Sequence, residues 1–187
     1  MTKLLELLSE VFDTYYKVKE RDMTVPEKGA TKGIAIFYAE NKKFIIEIYQ
    51  YPNDFYLIAY YPKLNRDFAK SSKQPNKYRI QLNLKNPYKV LGTVFKYMSD
   101  IRNKNSKASF GFYGAPDVED DDPNFSTYMS KRYRIYSQMI KQFNFLSTHD
   151  FIRDPNLSAV ILLNKEKLEE VPDLLDYANQ YMDQAIT

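Results

Sequence analysis

Cations interleaved with phenol rings are the first chemistry this chain offers. Between Lys63 and Lys107 twelve Lys or Arg residues stand against Asp67 and Asp100, a net +10. Single-stranded nucleic acid is held by cations that track phosphates and by rings that stack on bases. Lys73, Lys77, Tyr78 and Arg79 are the residues of this segment best suited to that work. In Lys77–Leu84 (KYRIQLNL) the alternation places Lys77, Arg79, Gln81 and Asn83 on one strand face. The plainer reading is a solvated lysine-rich loop followed by the outer face of a helix, since no RRM, KH or zinc-finger signature accompanies the charge.

A second cationic group is Lys131, Arg132 and Arg134. Lys131 and Arg134 fall three apart on a predicted helix, so they share a face and could form a fork for a phosphate or carboxylate. The competing reading makes Tyr133, Tyr136 and Ile140 the core stripe and pairs the cations with nearby acids. Those acids are Asp117, Glu119, Asp120, Asp121 and Asp122, after a Gly-containing turn. Carboxylates so spaced suggest a Ca²⁺ or Mg²⁺ loop, but an EF-hand needs Gly at its sixth position and Glu at its twelfth, and Asp122 and Tyr128 stand there. The expectation is an exposed acidic loop, no metal and no cofactor.

His149 is the only histidine. It adjoins Asp150, yet neighbours on a strand point to opposite faces, so the pair is no catalytic dyad. Cysteine is absent, which removes disulfides, thiol nucleophiles and thiolate metal sites. The chain has no Walker loop, no Gly-x-Gly-x-x-Gly, no His-Glu-x-x-His and no Gly-x-Ser-x-Gly. The expectation is therefore a protein without catalytic residues.

The elements that would carry these residues follow from hydrophobic periodicity. Leu4, Leu5, Leu8, Val11, Phe12, Tyr15 and Tyr16 recur at helical spacing and predict a helix over 2–21, followed by a loop through Pro26 and Gly29. Gly33–Ala39, Lys43–Gln50 and Phe55–Tyr61 predict an antiparallel meander with turns at Glu40-Asn41-Lys42 and Pro52-Asn53-Asp54. With only 5 glycines among 187 residues, positive-φ positions should fall to Asn and Asp. Lys63–Asn76 reads as a mobile loop and Lys77–Leu84 as a fourth strand. Pro87 opens a helix whose inward stripe is Val90, Leu91, Val94, Phe95 and Met98. A strand at Ser109–Tyr113, a helix at Ser126–Phe143, an edge strand near Phe145–Phe151, a buried strand at Ala159–Leu163 and a helical end broken at Pro172 complete the order. This is one α+β domain with a mostly antiparallel sheet, helices packed on one face and the other face partly open. Tyr49, Tyr51, Tyr56, Tyr60 and Tyr61 would form an interaction surface if they crowd that open face.

From Asn86 to Asn164, the helix NPYKVLGTVFKYMSDI, the strand SFGFYGAP, the stretch SKRYRIYSQMI and the strand SAVILLNK resemble a group of small, poorly characterised domains of bacteria and mobile elements. That resemblance covers under half of the chain and brings no catalytic residue with it. It implies an accessory role in bacterium–phage or mobile-element conflict. A four-stranded meander followed by a helix is also similar in order to the repeat unit of PUR-type and Whirly-type single-strand binders.

No apolar run approaches the length of a membrane span, and the first twenty residues lack the pattern of a signal peptide. A cytoplasmic location without membrane contact is expected. The net charge is +3, while Phe143–Thr187 carries three cations against eight acids. So polarised a chain suits docking to a protein or to a second copy of itself. Single-stranded nucleic acid on a basic, tyrosine-lined sheet face is the first alternative. An enzyme using Arg132, Arg134 and Asp117–Asp122 on a phosphorylated substrate is the second.

Overall fold

The computed structural model describes residues 15–27, 29–63, 85, 87–113, 131–154 and 159–186. Among the described residues seven strands form one sheet in the order β1-β2-β3-β4-β5-β7-β6. They are β1 (Lys19–Glu27), β2 (Ala30–Ala39), β3 (Lys42–Tyr51), β4 (Phe55–Pro62), β5 (Ser109–Tyr113), β6 (His149–Asp154) and β7 (Ala159–Asn164). Helix α1 (Pro87–Lys104) lies between β4 and β5, and α2 (Lys131–Gln142) between β5 and β6. Helices α3 (Lys165–Glu170) and α4 (Leu174–Ile186) close the chain. Every neighbouring strand pair is antiparallel except β4 with β5, which the α1 crossover makes parallel. The α+β class and the antiparallel bias expected from the sequence are both present.

The hairpin chemistry is local. Glu40 and Asn41 have φ of 49° and 64°, as a two-residue type I′ turn requires, and they bring Ala39 opposite Lys42. Asn53 and Asp54, at 60° and 57°, turn β3 into β4. Of the non-glycine residues described with positive φ, all but Glu40 are Asn or Asp, whose short polar side chains tolerate this region.

Alternation along each strand builds two cores. On one face Ala35, Phe37, Phe44, Ile46, Ile58, Phe110, Phe112 and Leu162 meet the α1 stripe Val90, Leu91, Val94, Phe95 and Met98, together with Tyr136, Met139 and Ile140 of α2. The rings interlock edge to face, with Phe95 on Phe112 at 5.6 Å and Phe112 on Tyr136 at 5.2 Å. On the other face Tyr51, Phe55, Leu57, Ile161 and Leu163 pack against Leu174, Ala178 and Met182 of α4. Helices on one face therefore describes α1 and α2, while α4 covers the opposite side. α4 approaches closely because Gly111 has no side chain: a Cβ there would stand 2.7 Å from Phe55 Cζ and 3.1 Å from Met182 Sδ.

The N-terminal reading needs correction. Lys19–Glu27, expected as a helix end and a loop, is the edge strand β1. Residues 15–18 are not helical. Instead Tyr16 stacks on Phe37 at 5.9 Å, and its N–H donates to Thr93 Oγ1 at 3.1 Å. These tertiary contacts, with Lys89 Nζ 4.5 Å from the Tyr16 ring centre, override the helical spacing of the tyrosines. Residues 2–14 of the expected helix over 2–21, the loop and strand between Leu64 and Leu84, and the acidic loop lie outside the described residues.

Candidate interaction surface

Strand register arranges the face opposite α1 and α2 into cross-strand rows. Tyr38 pairs with Lys43, and the Lys63 N–H donates to the Lys43 carbonyl at 2.8 Å, which continues that row onto the end of β4. The next row is Ile36, Ile45 and Tyr61; then come Ile34, Glu47 and Ala59, and after them Lys32, Tyr49 and Leu57. Among the described residues α4 covers the β4, β5 and β7 part of this face and reaches β3 at Tyr51, with Tyr49 packed at the margin of that cluster.

Glu47 is the chemical centre of these rows. It is a carboxylate inside the apolar run FIIEIY and is only 4% exposed. The Tyr61 hydroxyl donates to its Oε1 at 2.8 Å, the Tyr49 hydroxyl reaches Oε2 at 3.5 Å, and Lys32 Nζ lies 3.6 Å from Oε1. Lys32 also sits over the Tyr49 ring, 5.0 Å from its centre. A buried carboxylate persists only when paired and hydrogen-bonded, and these groups supply both. The network orients two phenols and one ammonium; Glu47 and Ile36 are buried, while Lys32, Ile34, Ile45, Tyr49, Ala59 and Tyr61 around them are part-exposed. The outer row is open: Tyr38 is 61% exposed, the highest value among the described large hydrophobic residues, with Lys43 part-exposed opposite it and Lys63 exposed next in the row.

The opposite ends of the same strands carry the other sign. Helix α3 starts at the end of β7, its first turn capped by Asn164 Oδ1, which accepts from Lys167 N–H at 3.0 Å. Lys167 binds Asp54 at 3.1 Å, and Glu170 is held by Lys107 and Lys167. That leaves Glu166, Glu169, Asp173 and Asp176 as exposed acids near the half-stacked Tyr177. Contact with the Lys107 ammonium holds the Glu170 carboxyl below its ordinary range. Basic and acidic surfaces thus lie at opposite ends of the sheet.

The tyrosines singled out in the sequence divide between the faces. Tyr56 and Tyr60 belong to the α1 side. Tyr51 is buried under Tyr181, with ring centres 4.5 Å apart, and only Tyr49 and Tyr61 stand in the middle rows. Lys131, Arg132 and Arg134 occupy the first turns of α2, and their side chains lie outside the described residues. Lys73, Lys77, Tyr78 and Arg79 lie outside them altogether. Lys32, Tyr38 and Glu47 were not foreseen as site residues. The signal for Glu47 was present, as a lone acid amid apolar strand residues.

His149 is 1% exposed and faces the α1 core, whereas Asp150 is exposed on the other side. Its Nε2 lies 2.8 Å from the Ala108 carbonyl and its Nδ1 2.8 Å from Thr148 Oγ1. Among the described residues no group of three or more His, Asp or Glu converges as metal ligands. No described helix is long and apolar enough to cross a membrane. No family model, curated relative or solved structure matches the chain significantly.

Proposed function

We propose that the chain is a binding module that holds an acidic protein surface on the outer row of its meander. The observation that carries this reading is Tyr38, 61% exposed and directly opposite Lys43, with Lys63 next in the row. A rigid amphipathic ring flanked by ammonium groups gives contact area at low entropic cost and selects for carboxylates. The acids on α3 and α4 stand at the far end of the strands, so they do not oppose such a partner.

The interleaving of Lys32, Lys43 and Lys63 with Tyr38, Tyr49 and Tyr61 on one face supports a second reading, single-stranded nucleic acid. Stacking needs open ring faces, and of these three tyrosines only Tyr38 is largely exposed while Tyr49 and Tyr61 are half-buried, so the protein partner is preferred.

A photo-crosslinking residue at Tyr38 tests the choice in cells. The expected result is a discrete protein adduct that disappears when Lys43 and Lys63 are both changed to Glu. Polarisation titrations with a single-stranded oligonucleotide should show negligible affinity near physiological salt. Tight oligonucleotide binding that falls with salt and is lost in the double reversal would replace this reading with the nucleic-acid one. Absence of both adduct and oligonucleotide binding would reject both readings.

A further inference from the structure

His149 is the first residue of β6, the strand at the edge of the sheet. Its partner across the ladder is Asn164 of β7, but its ring reaches past β7 to the carbonyl of Ala108, the residue before β5. The side chain therefore ties the edge strand to a strand two places away. A carbonyl only accepts, so Nε2 carries the ring proton, and Nδ1 then accepts at 2.8 Å from the Thr148 hydroxyl, whose other acceptor, the Phe145 carbonyl, is farther at 3.5 Å. This arrangement fits the neutral ring.

The surroundings suit that neutral form. Phe110 and Phe145 pack on the imidazole at centroid distances of 6.0 Å and 5.4 Å. From α1 the Arg102 guanidinium lies 4.5 Å from the centre of the Phe145 ring. From the start of α3, Lys165 donates its backbone N–H to the Thr148 carbonyl at 3.0 Å and extends its ammonium to the Leu146 carbonyl at 3.1 Å. Both charged neighbours from other elements are thus cations. On β6 itself Asp150 is an exposed acid, 3.9 Å from the Lys165 ammonium. A proton on Nδ1 would turn the Thr148 hydroxyl from donor to acceptor toward the ring, leaving it only the Phe145 carbonyl at 3.5 Å to donate to, and would set a positive charge against the Phe110 and Phe145 rings near two other cations. Burial, aided by Arg102 and Lys165, pushes the histidine below its ordinary range, against the hydrogen bonds to the Ala108 and Phe145 carbonyls.

We propose that His149 is an acid-sensitive latch: neutral, it holds β6 and the Phe145–Ser147 turn on the sheet, and its protonation releases them. Local release is favoured over global unfolding because β6 pairs only with β7 among the described strands. A ring that resists protonation when folded contributes stability above the unfolded value of about 6.5, and loses it as pH falls below that. The opening would bare the outer edge of β7, whose inner residues Ile161, Leu162 and Leu163 are all buried.

The lone histidine makes the test direct. Its ring proton resonance is followed by NMR while amide exchange is compared at about pH 8 and about pH 5, with intrinsic rates corrected. The resonance should titrate below the ordinary histidine value. Amides of 149–154 should lose protection several-fold at the lower pH while those of β2 and β3 keep theirs. His149→Gln retains a donor for the Ala108 carbonyl and cannot titrate, so its protection should not change with pH. Titration at or above the ordinary value, unchanged protection at 149–154, or a loss spread evenly over the sheet would overturn the latch. So would the same acid response in the Gln variant. The wild-type measurements decide the matter if that variant does not fold.

Discussion

At the scale of single residues, the two polar groups with most at stake are Glu47 and Tyr97. Glu47 holds Tyr61, Tyr49 and Lys32 together inside a sheet face. Glu47→Ala should destabilise the protein by about 2–4 kcal/mol, since it leaves a half-buried ammonium and a phenol short of their acceptor. Glu47→Gln should cost less, because the amide oxygen still accepts from Tyr61. Denaturant unfolding of both variants checks the order, and an alanine no worse than the glutamine would contradict it. Tyr97 donates to Glu20 at 3.1 Å and links α1 to β1. Burial and the Glu20 carboxylate raise its ionisation well above the ordinary tyrosine value. The unfolded chain then loses this proton first, so the contribution is whole below about pH 10 and fades as pH rises beyond it. Tyr97→Phe should flatten that part of the alkaline stability curve relative to wild type, as read by thermal midpoints on either side of pH ~10.

Elements are decided by their contacts as much as by their own pattern. Gly111 lets α4 lie on β5, and Phe55 and Met182 fill the space a side chain would take. Gly111→Ala should cost about 1–3 kcal/mol through overpacking, because Phe55 is wholly buried and has little room to retreat. A melt unchanged from wild type would show that the helix can shift at no cost. The β2–β3 turn points the other way. Glu40 sits at φ 49°, where Asn is better tolerated. Glu40→Asn should therefore stabilise by about 0.5 kcal/mol, which chemical denaturation can resolve. Legibility at this scale follows from range. The α1 stripe, both meander turns and the break before α4 were readable because spacing, Pro87, Asn-containing turns and Pro172 act within a few residues. β1 was not, because the tyrosines ahead of it mimic helical spacing while their partners, Phe37 and Thr93, are remote in sequence.

For the whole molecule, charge and shape are coupled through topology. Lys43 and the exposed Lys63 stand at one end of the strands and the exposed acids Glu166, Glu169, Asp173 and Asp176 at the other. Lys43→Glu with Lys63→Glu replaces no buried side chain, so thermal stability should stay within about 0.5 kcal/mol of wild type while partner capture is lost. A large drop in stability would show those lysines to be structural. Composition and periodicity alone determined the α+β class, the meander, the stripe of α1 and the charge asymmetry, since each depends on residue type and local spacing. Only the tertiary structure decided which tyrosines share a face, for the one-residue alternation of strands sends Tyr60 into the α1 core and Tyr61 to Glu47. It alone decided the parallel pairing of β4 with β5, the passage of α4 to the opposite face, and the reach of His149 across β7. Those outcomes rest on contacts between residues tens of positions apart, where burial and hydrogen-bond satisfaction select among arrangements that local pattern leaves equal.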